Sequence, residues 1–497
     1  MAMSKKNAKS QEELLREALV PVEEQPYEVP ENWVWVRSEA IATWGSGGTP
    51  SRKNPEYYEG GSIPWIKTGE LRDEVITEAE EYITEEAVRN SSAKLFPKGS
   101  VAIAMYGATI GKAGILGIDA TTNQACTVGI PNKLTTTMFM FHFFRAQKEK
   151  FIKLGKGGAQ PNISQAIIKN YPFPLPPLNE QKRIADKVER LLSKLEQAKE
   201  LVVQTMENID LNRKSVIVNA YLGKLTEEWR RTNQINESAF DLVMEIQKRR
   251  KIDYLSNVEL IKATSSLIKN KSESDFIPYI SHEDSSLPKN WCITRILDLT
   301  ECLDRFRKPV SKAERENRPG NIPYYGANGQ VDTINDYIFN DDIVLVVEDE
   351  TFTGREKPFS YIVRGKSWVN NHAHVLRPLG GIDVEYLNIC LSYYNFIPLT
   401  SGSTGRRKLT QAALNQAPLR LAPLSEQKII VSKVRKVHDV LDKVKQNCII
   451  TLERIECIKK SILNKAFKGE LGTYDHGEVK AIDLLIEKEI GLNYRGR

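Results

Sequence analysis

Three stretches of this 497-residue chain invite a chemical reading. "YGATIGKAG" from Tyr106 has the lysine and glycines of a phosphate-binding loop. However, the position five before Gly111 is Tyr106 rather than glycine, and Lys112 is followed by Ala113 where serine or threonine would be needed. "NNHAH" sets His372 and His374 two apart, yet no aspartate or further histidine is well placed, and the six histidines and six cysteines show no zinc spacing. The acidic triplet Glu348-Asp349-Glu350 would hold a cation only if loops supplied more oxygen ligands. No serine or cysteine stands in a nucleophile motif, and there is no Gly-rich dinucleotide loop. The sequence therefore predicts no catalytic residue, no metal site and no cofactor in this chain.

The loops are suited to recognition instead. "TWGSGGTPSRKNPEYYEGG" (from Thr43), "WIKTGEL", "MYGATIGKAG" and "KLGKGGAQPNIS" mix glycine, hydroxyls, amides, aromatics and cations, and so do "RFRKPVSKAERENRPG" (from Arg305), "YYGANGQ", "TFTGREK" and "SGSTGRRKLT". Arginine and lysine engage phosphates or guanine, glutamine and asparagine bond adenine, and glycine lets a backbone come close. Solvated surface loops have the same palette. Lys+Arg at 70 against Asp+Glu at 64 leaves only +6, so a surface for a polyanion has to come from clustering.

The elements that must position these loops are written twice. A shift of 246 residues lays "PLNEQKRI" (from Pro177) on "PLSEQKII" (from Pro423), and "KSVIVNAYLGKL" (from Lys214) on "KSILNKAFKGEL" (from Lys460). Upstream, "VPENWVWVR" (from Val29) matches "LPKNWCITR" (from Leu287) at a shift of 258, and a looser echo follows each helix in "AFDLVMEI" and "AIDLLIEK". The chain is one module repeated, with a diverged interior. With 41% apolar and 27% charged residues it has globular composition. "SVAIAMYG" and "DIVLVVED" read as buried strands, and "WVWVR" and "HAHVLRP" alternate in part, so the globular segments 28–177 and 286–423 are mixed α/β.

Each segment leads into a helix of about 44 residues, roughly 65 Å long. Asn179 and Ser425 precede Glu-Gln as N-cap signatures, and Gly223 and Gly469 suit the C-terminal ends. Heptads place Ile184, Val188, Leu191, Leu195, Ala198, Val202, Thr205, Ile209, Asn212 and Val216 on one seam. The second helix matches with Ile430, Val434, Val437, Leu441, Val444, Cys448, Thr451, Ile455, Ile458 and Ile462. A lone amphipathic helix of this length needs a partner, and the other copy is the nearest. An antiparallel pair needs no long return by the connector 224–285, so an antiparallel coiled coil with pseudo-two-fold symmetry is expected.

The duplicated "PLPPLNEQKRIADKVERLL" and "RLAPLSEQKIIVSKVRKV", each preceded by Pro-x-Asn-Trp and a divergent globular segment, resemble the DNA-specificity subunit of type I restriction-modification systems. The resemblance covers nearly the whole chain. It implies an α+β protein with two target recognition domains, 28–177 and 286–423, each reading half of a gapped, asymmetric target in double-stranded DNA. Spacer helices 178–223 and 424–472 follow them, with an N-terminal helical segment 1–27, the connector 224–285, whose basic "QKRRK" run has no assigned role, and a tail 473–497. It further implies no chemistry in this chain: two modification subunits would bind S-adenosylmethionine and methylate adenine, and restriction subunits would use ATP and magnesium. The DNA-contact candidates are Thr49, Ser51, Arg52, Lys67, Tyr106, Lys156 and Gln160 in the first domain, and Arg305, Arg307, Lys308, Asn328, Arg355, Arg406, Arg407 and Lys408 in the second. A coiled-coil scaffold and a stand-alone DNA-modifying enzyme are the alternatives. The start "MAMSKKNAKSQEELLREALVP" lacks an apolar signal core, no CxxC pair occurs, and no stretch approaches about 18 apolar residues, so a reduced cytoplasmic protein away from membranes is expected.

Overall fold

In the computed structural model, which describes residues 11–155, 161–262, 272–350, 352, 354–402 and 407–494, the two repeated runs are unbroken helices of 44 residues, Leu178–Tyr221 and Leu424–Phe467. Their first turns are closed by Gln181 N–H donating to the Pro177 carbonyl at 2.9 Å and Gln427 N–H to that of Pro423 at 3.0 Å. The caps are therefore the prolines, and Asn179 and Ser425 lie in the first turn. The expectation placed the cap two residues late, because a proline at this position keeps the acceptor that a cap needs and lacks only a donor. At the other ends Gly223 and Gly469 both have φ of +74°, the left-handed conformation that ends a helix and disfavours a side chain.

The chain forms two compact units: residues up to Val202 with those from Ile450 onward, and Val203–Ile449. Each unit holds the start of one long helix beside the end of the other. In the first, Lys459 Nζ meets Glu196 Oε2 at 2.8 Å; in the second, Arg213 pairs with Asp442. Both pairs fix an antiparallel arrangement, and the four residues are related in pairs by the same 246-residue shift.

Along the helices, Ile184, Val188, Ile209, Ile430, Val434, Cys448 and Ile455 are buried, and Leu191, Leu195, Val202, Val437, Leu441 and Ile462 are half-buried. Asn212 and its counterpart Ile458, by contrast, are exposed. Arg213 and Lys459, one residue on, face the partner helix in their place. A straight helix drifts by about 20° per heptad against a 3.5-residue repeat, so four heptads from Ile184 the inward position has slipped by one residue.

In the first unit a five-stranded sheet runs in the order Ala42–Ser46, Cys126–Pro131, Val101–Ala104, Ala113–Leu116, Val75–Ile76. A four-stranded sheet (Tyr82–Ile83, Ile63–Ile66, Ala120–Thr122, Leu95–Phe96) stands beside it. The near-continuously apolar helix Thr137–Ala146 is buried for most of its length, as such a helix must be, and Phe139 and Phe143 pack on Phe467 with ring centroids 5.4 and 5.3 Å apart. The second unit has the corresponding central strands Thr300–Cys302, Ala373–Pro378, Ile343–Val347 and Ser360–Val363, and a further sheet of Gly329–Ile334, Ile322–Gly326, Lys366–Val369 and Phe339–Asn340.

The repeated motifs meet at one joint in each unit. Val34–Arg37 pairs antiparallel with Pro172–Leu175, and Cys292–Arg295 with Pro418–Leu421 in the same register, so the strand that directly follows Trp33 or Trp291, the tryptophan strand, is tied to the strand that leads into the long helix. The indole N–H of Trp33 then donates to the buried Glu180 carboxylate at 2.9 Å, joined by Asn32 Nδ2 at 2.9 Å. Trp291 donates to the buried Glu426 at 2.8 Å, where Thr226 and Arg230 add further hydrogen bonds. The neighbouring glutamines are also buried: Gln181 donates to the Leu134 and Pro176 carbonyls, and Gln427 to that of Ala422.

Each joint also receives the end of the opposite helix. A Cβ on Gly469 would lie 2.3 Å from Pro30 Cγ, and one on Gly223 2.9 Å from Pro288 Cγ. The helix Ala481–Tyr494 starts with Ala481 N–H on the Asn32 carbonyl, and Ala239–Lys262 with Ala239 N–H on that of Asn290, both at 3.0 Å. Leu19 bridges to Val36 in the first unit, where Ile280–Ser281 pairs with the tryptophan strand in the second. The connector thus supplies in one unit what the tail and N-terminal segment supply together in the other.

Removing an acceptor from buried donors leaves them unpaired in a medium that cannot replace it, and stripping Arg230 of its carboxylate does the same to a charge. Glu426→Ala is expected to destabilise the second unit by about 3 kcal/mol, seen as an earlier transition in urea unfolding of the full chain.

Candidate nucleic-acid interface

The central strands of the two units end alike: Ala104 stands opposite Cys126, and Val347 opposite Ala373. The loops beyond these ends carry most of the described candidates.

In the first unit Gly47 N–H donates to the Cys126 carbonyl at 3.1 Å, and Gly48 N–H to that of Thr122 at 2.8 Å. A Cβ on Gly47 would stand 2.1 Å from the Asn123 carbonyl oxygen, so only glycine permits this approach. The contact delivers Thr49 to Gln124, whose side-chain oxygen accepts its hydroxyl. Asn123 N–H donates to the Ile66 carbonyl at 3.0 Å, bringing Lys67 alongside, and the Trp65 indole donates to Gly48 O at 2.9 Å. Arg52 lies over the rings of Tyr58 at 4.3 Å and Trp65 at 5.2 Å and pairs with Glu81, which also holds Lys67 Nζ at 2.8 Å. Tyr106 is 45% exposed and its backbone bridges to Asn162. Ser51 is exposed on the same loop. Thr49, Ser51, Arg52, Lys67 and Tyr106 therefore come together around one strand end; Lys156 and Gln160 lie outside the described residues.

Gln124 and Glu81 are not among the DNA-contact candidates drawn from the sequence. Gln124 stands where the second copy has His372 in the alignment of "TNQAC" with "NNHAH", which brings it to notice beside the histidines but not as a DNA contact. No pattern marks Glu81, because its partners are 29 and 14 residues away. Its carboxyl is held below the usual range by the hydrogen bonds from Lys67 and Arg52, and the Lys67 ammonium is raised chiefly by the same bond.

In the second unit the candidates divide. Arg305 is exposed over the Phe306 ring at 4.6 Å, Lys308 is exposed, and Lys408, 58% exposed, reaches Glu348 at 3.1 Å. Arg407 is tied to Thr400 at 2.7 Å, and Arg355 to Asn328 at 2.7 Å while lying over Phe359. Arg307 is only 12% exposed: its guanidinium is taken up by Glu348, Asp304 and the Ala373 carbonyl, so it holds the loop from inside. Arg406 lies outside the described residues.

Asp304, Glu348 and His374 bring three potential metal ligands within 4.8 Å of one another. The surrounding bonds use them otherwise. His374 Nδ1 meets Asp304 Oδ2 at 2.5 Å and Nε2 meets the Leu409 carbonyl at 2.8 Å, so both ring nitrogens face acceptors and neither lone pair is turned to an ion. Arg307 already supplies the positive charge between the two carboxylates. This is an ion-pair cluster that ties the strand Arg407–Leu409 to the central sheet.

For Asp304 burial works to raise the pKa, but hydrogen bonds and charge from His374, a bond from Val375 N–H and the charge of Arg307 together hold it below its ordinary 3.8. A depressed folded-state pKa gives stability that is present above the unfolded value and lost as pH falls through the folded one. Acid unfolding of the second unit is therefore expected to steepen below about pH 4, and Asp304→Asn to flatten that slope in circular-dichroism titrations of the full chain.

The family model described as "Type I restriction modification DNA specificity domain" matches residues 30–205 and 288–454, one match per copy of the module. The chain belongs to this family. As a family member it carries two copies of a DNA specificity domain. Similar curated proteins include the type I restriction enzyme EcoR124I/EcoR124II specificity subunit of Escherichia coli, 32% identical over 31% of this chain and 39% of the relative. The putative specificity subunit S.HindORF215P of Haemophilus influenzae is 37% identical over 29% and 35%, so these matches span well under half of either protein. The EcoKI specificity subunit of Escherichia coli K12 is similar over 89% of this chain and 90% of its own length, at 22% identity. Among solved structures, the HsdS subunit from Thermoanaerobacter tengcongensis has a TM-score of 0.54 at 17% identity, covering 90% of this chain and 99% of that one. A chain from a study of assembly and conformational transition of the type I R-M system scores 0.59 at 18%, over 90% and 100%. The likeness to both is one of fold. Among the described residues no helix is long and apolar enough to cross a membrane.

Proposed function

We propose that this chain is the DNA-reading subunit of a type I restriction-modification complex. Its two recognition domains, 28–177 and 286–423, each read one half of a gapped, asymmetric target. The chain directs adenine methylation by two modification subunits that carry S-adenosylmethionine, and restriction by motor-nuclease subunits that use ATP and magnesium, in the cytoplasm. The observation that carries the reading is the clustering of cations, amides and aromatics beyond equivalent strand ends in two units built on one framework. Loops that differ on frames that repeat make two unlike readers, and half-site spacing then follows protein geometry. A scaffold would have no use for this clustering.

Selection from random duplex DNA by the full chain with its modification subunits is expected to enrich a split motif of two unlike halves. An unenriched pool would favour the scaffold, and S-adenosylmethionine binding or DNA cleavage by the chain alone would favour an enzyme.

Individual contacts are separable on the selected target. Arg52→Ala is expected to relax one base position at about 1 to 3 kcal/mol if it reads a base, or to weaken all sequences and flatten the salt slope by about one if it meets a phosphate. Competition binding at several salt concentrations distinguishes the two.

A further inference from the structure

Arg52 and Lys67, both candidate contacts in the first recognition domain, converge on one carboxylate. Lys67 Nζ lies 2.8 Å from Glu81 Oε1, and Arg52 Nη2 pairs with Oε2. Both cations remain accessible, Arg52 at 56% and Lys67 at 32%, and Glu81 itself is 31% exposed. An isolated surface ion pair would mean little. This one is built into a rigid frame. The Glu81 carbonyl accepts the Trp65 N–H at 2.9 Å, fixing its backbone to the strand Ile63–Ile66. The two rings under Arg52 are tied to the loop that carries it: Tyr58 Oη donates to Pro50 O at 2.6 Å and the Trp65 indole to Gly48 O at 2.9 Å. Lys67 is set from below by Glu70, whose buried carboxylate accepts the Lys67 and Glu80 backbone N–H groups at 2.8 and 2.9 Å.

From this geometry we infer that Glu81 is a specificity-determining positioning residue, an internal anion that orients Arg52 and Lys67 and offsets part of their charge until a base edge or phosphate competes for them. The inference rests on the DNA-reading function proposed above. A guanidinium has five N–H donors in a fixed fork. Among the described residues Glu81 engages Arg52 at Nη2 alone, so the rest of the fork stays open while the bond sets the plane in which it points. Without the carboxylate the two cations repel one another, turn outward and attract any phosphate. Phosphate attraction is sequence-independent, whereas a base edge is read only by a donor already in register. Glu81 thus trades general affinity for discrimination. Glu80, 3.7 Å from Lys67 and 60% exposed, is too far for a hydrogen bond to that ammonium and also faces Arg72 at 3.7 Å, so it does not replace it.

The test compares the wild-type chain with Glu81→Gln, each assembled with its modification subunits, on the selected target, on targets altered in one half, and on unrelated duplex. Glu81→Gln is expected to bind unrelated duplex about tenfold more tightly near 0.1 M salt, with a salt slope steeper by about one, as an added phosphate contact would give. Discrimination should fall in one half of the target and stay intact in the other, a split that general loosening of the fold would not produce. The double variant Lys67→Gln with Glu81→Gln restores the local charge balance, so its affinity for unrelated duplex should return to the wild-type value while discrimination stays low. Unchanged binding in Glu81→Gln, or equal loss of discrimination in both halves, overturns the role given to Glu81. A wild-type chain that enriches no split motif removes the DNA-reading function itself, and this role with it.

Discussion

A buried carboxylate accepting the N–H of a buried indole is the contact on which both units depend. Glu180 and Glu426 sit in the first turn of each long helix, fully shielded from solvent, where an ionised group survives only if donors surround it. Trp33 and Trp291, each immediately before the strand that opens its unit's repeated frame, provide an indole donor for these carboxylates. The bond therefore fixes the angle at which a domain leaves its helix. The C-terminal glycine of the opposite helix closes over the same tryptophan, so helix pairing and domain attachment are decided at one place. The surroundings are not identical: Arg230 supplies a positive charge directly to Glu426, whereas Glu180 is satisfied by Asn32, Trp33 and Thr473, and Arg183 turns instead to Glu478.

Because the joint is rigid and repeated, the rest of each domain is free to differ. Beyond the central strand ends, one unit stacks Arg52 on two aromatic rings and pairs it with Glu81, and the other buries Arg307 among Asp304, Glu348 and His374 and leaves Lys408 outside. Both arrangements hold exposed cations with internal anions, but through different residues at different depths. A frame that repeats and loops that do not are what the proposed reading of two unlike sequences requires.

Some of this was legible in the residues and some was not. The long helices, their ends at Gly223 and Gly469 and the strands in "SVAIAMYG" and "DIVLVVED" follow from periodicity and from runs of apolar side chains, which are local properties. The drift that exposes Asn212 and Ile458 was not legible, since a heptad count assumes supercoiling and the true twist is set by packing. Composition identified loops able to meet DNA, but it could not separate Arg307 from Lys408, because a guanidinium in a loop reads the same whether its partners lie in solvent or in the core.

The sequence by itself determined that the chain is a module written twice, with helices that must pair and loops rich in the groups that contact DNA, because repeats, periodicity and composition are carried by neighbouring residues. Only the tertiary structure decided what the repeated letters are for. Glu180 finds Trp33 at a separation of 147 residues, and Gly469 finds Pro30 across nearly the whole chain. Thr473 bonds Glu180 as Thr226 bonds Glu426, although the 246-residue shift aligns Thr226 with Gly472. Such partners are chosen by geometry at a desolvated site, where any donor that reaches the carboxylate serves, and no spacing along the chain records that choice.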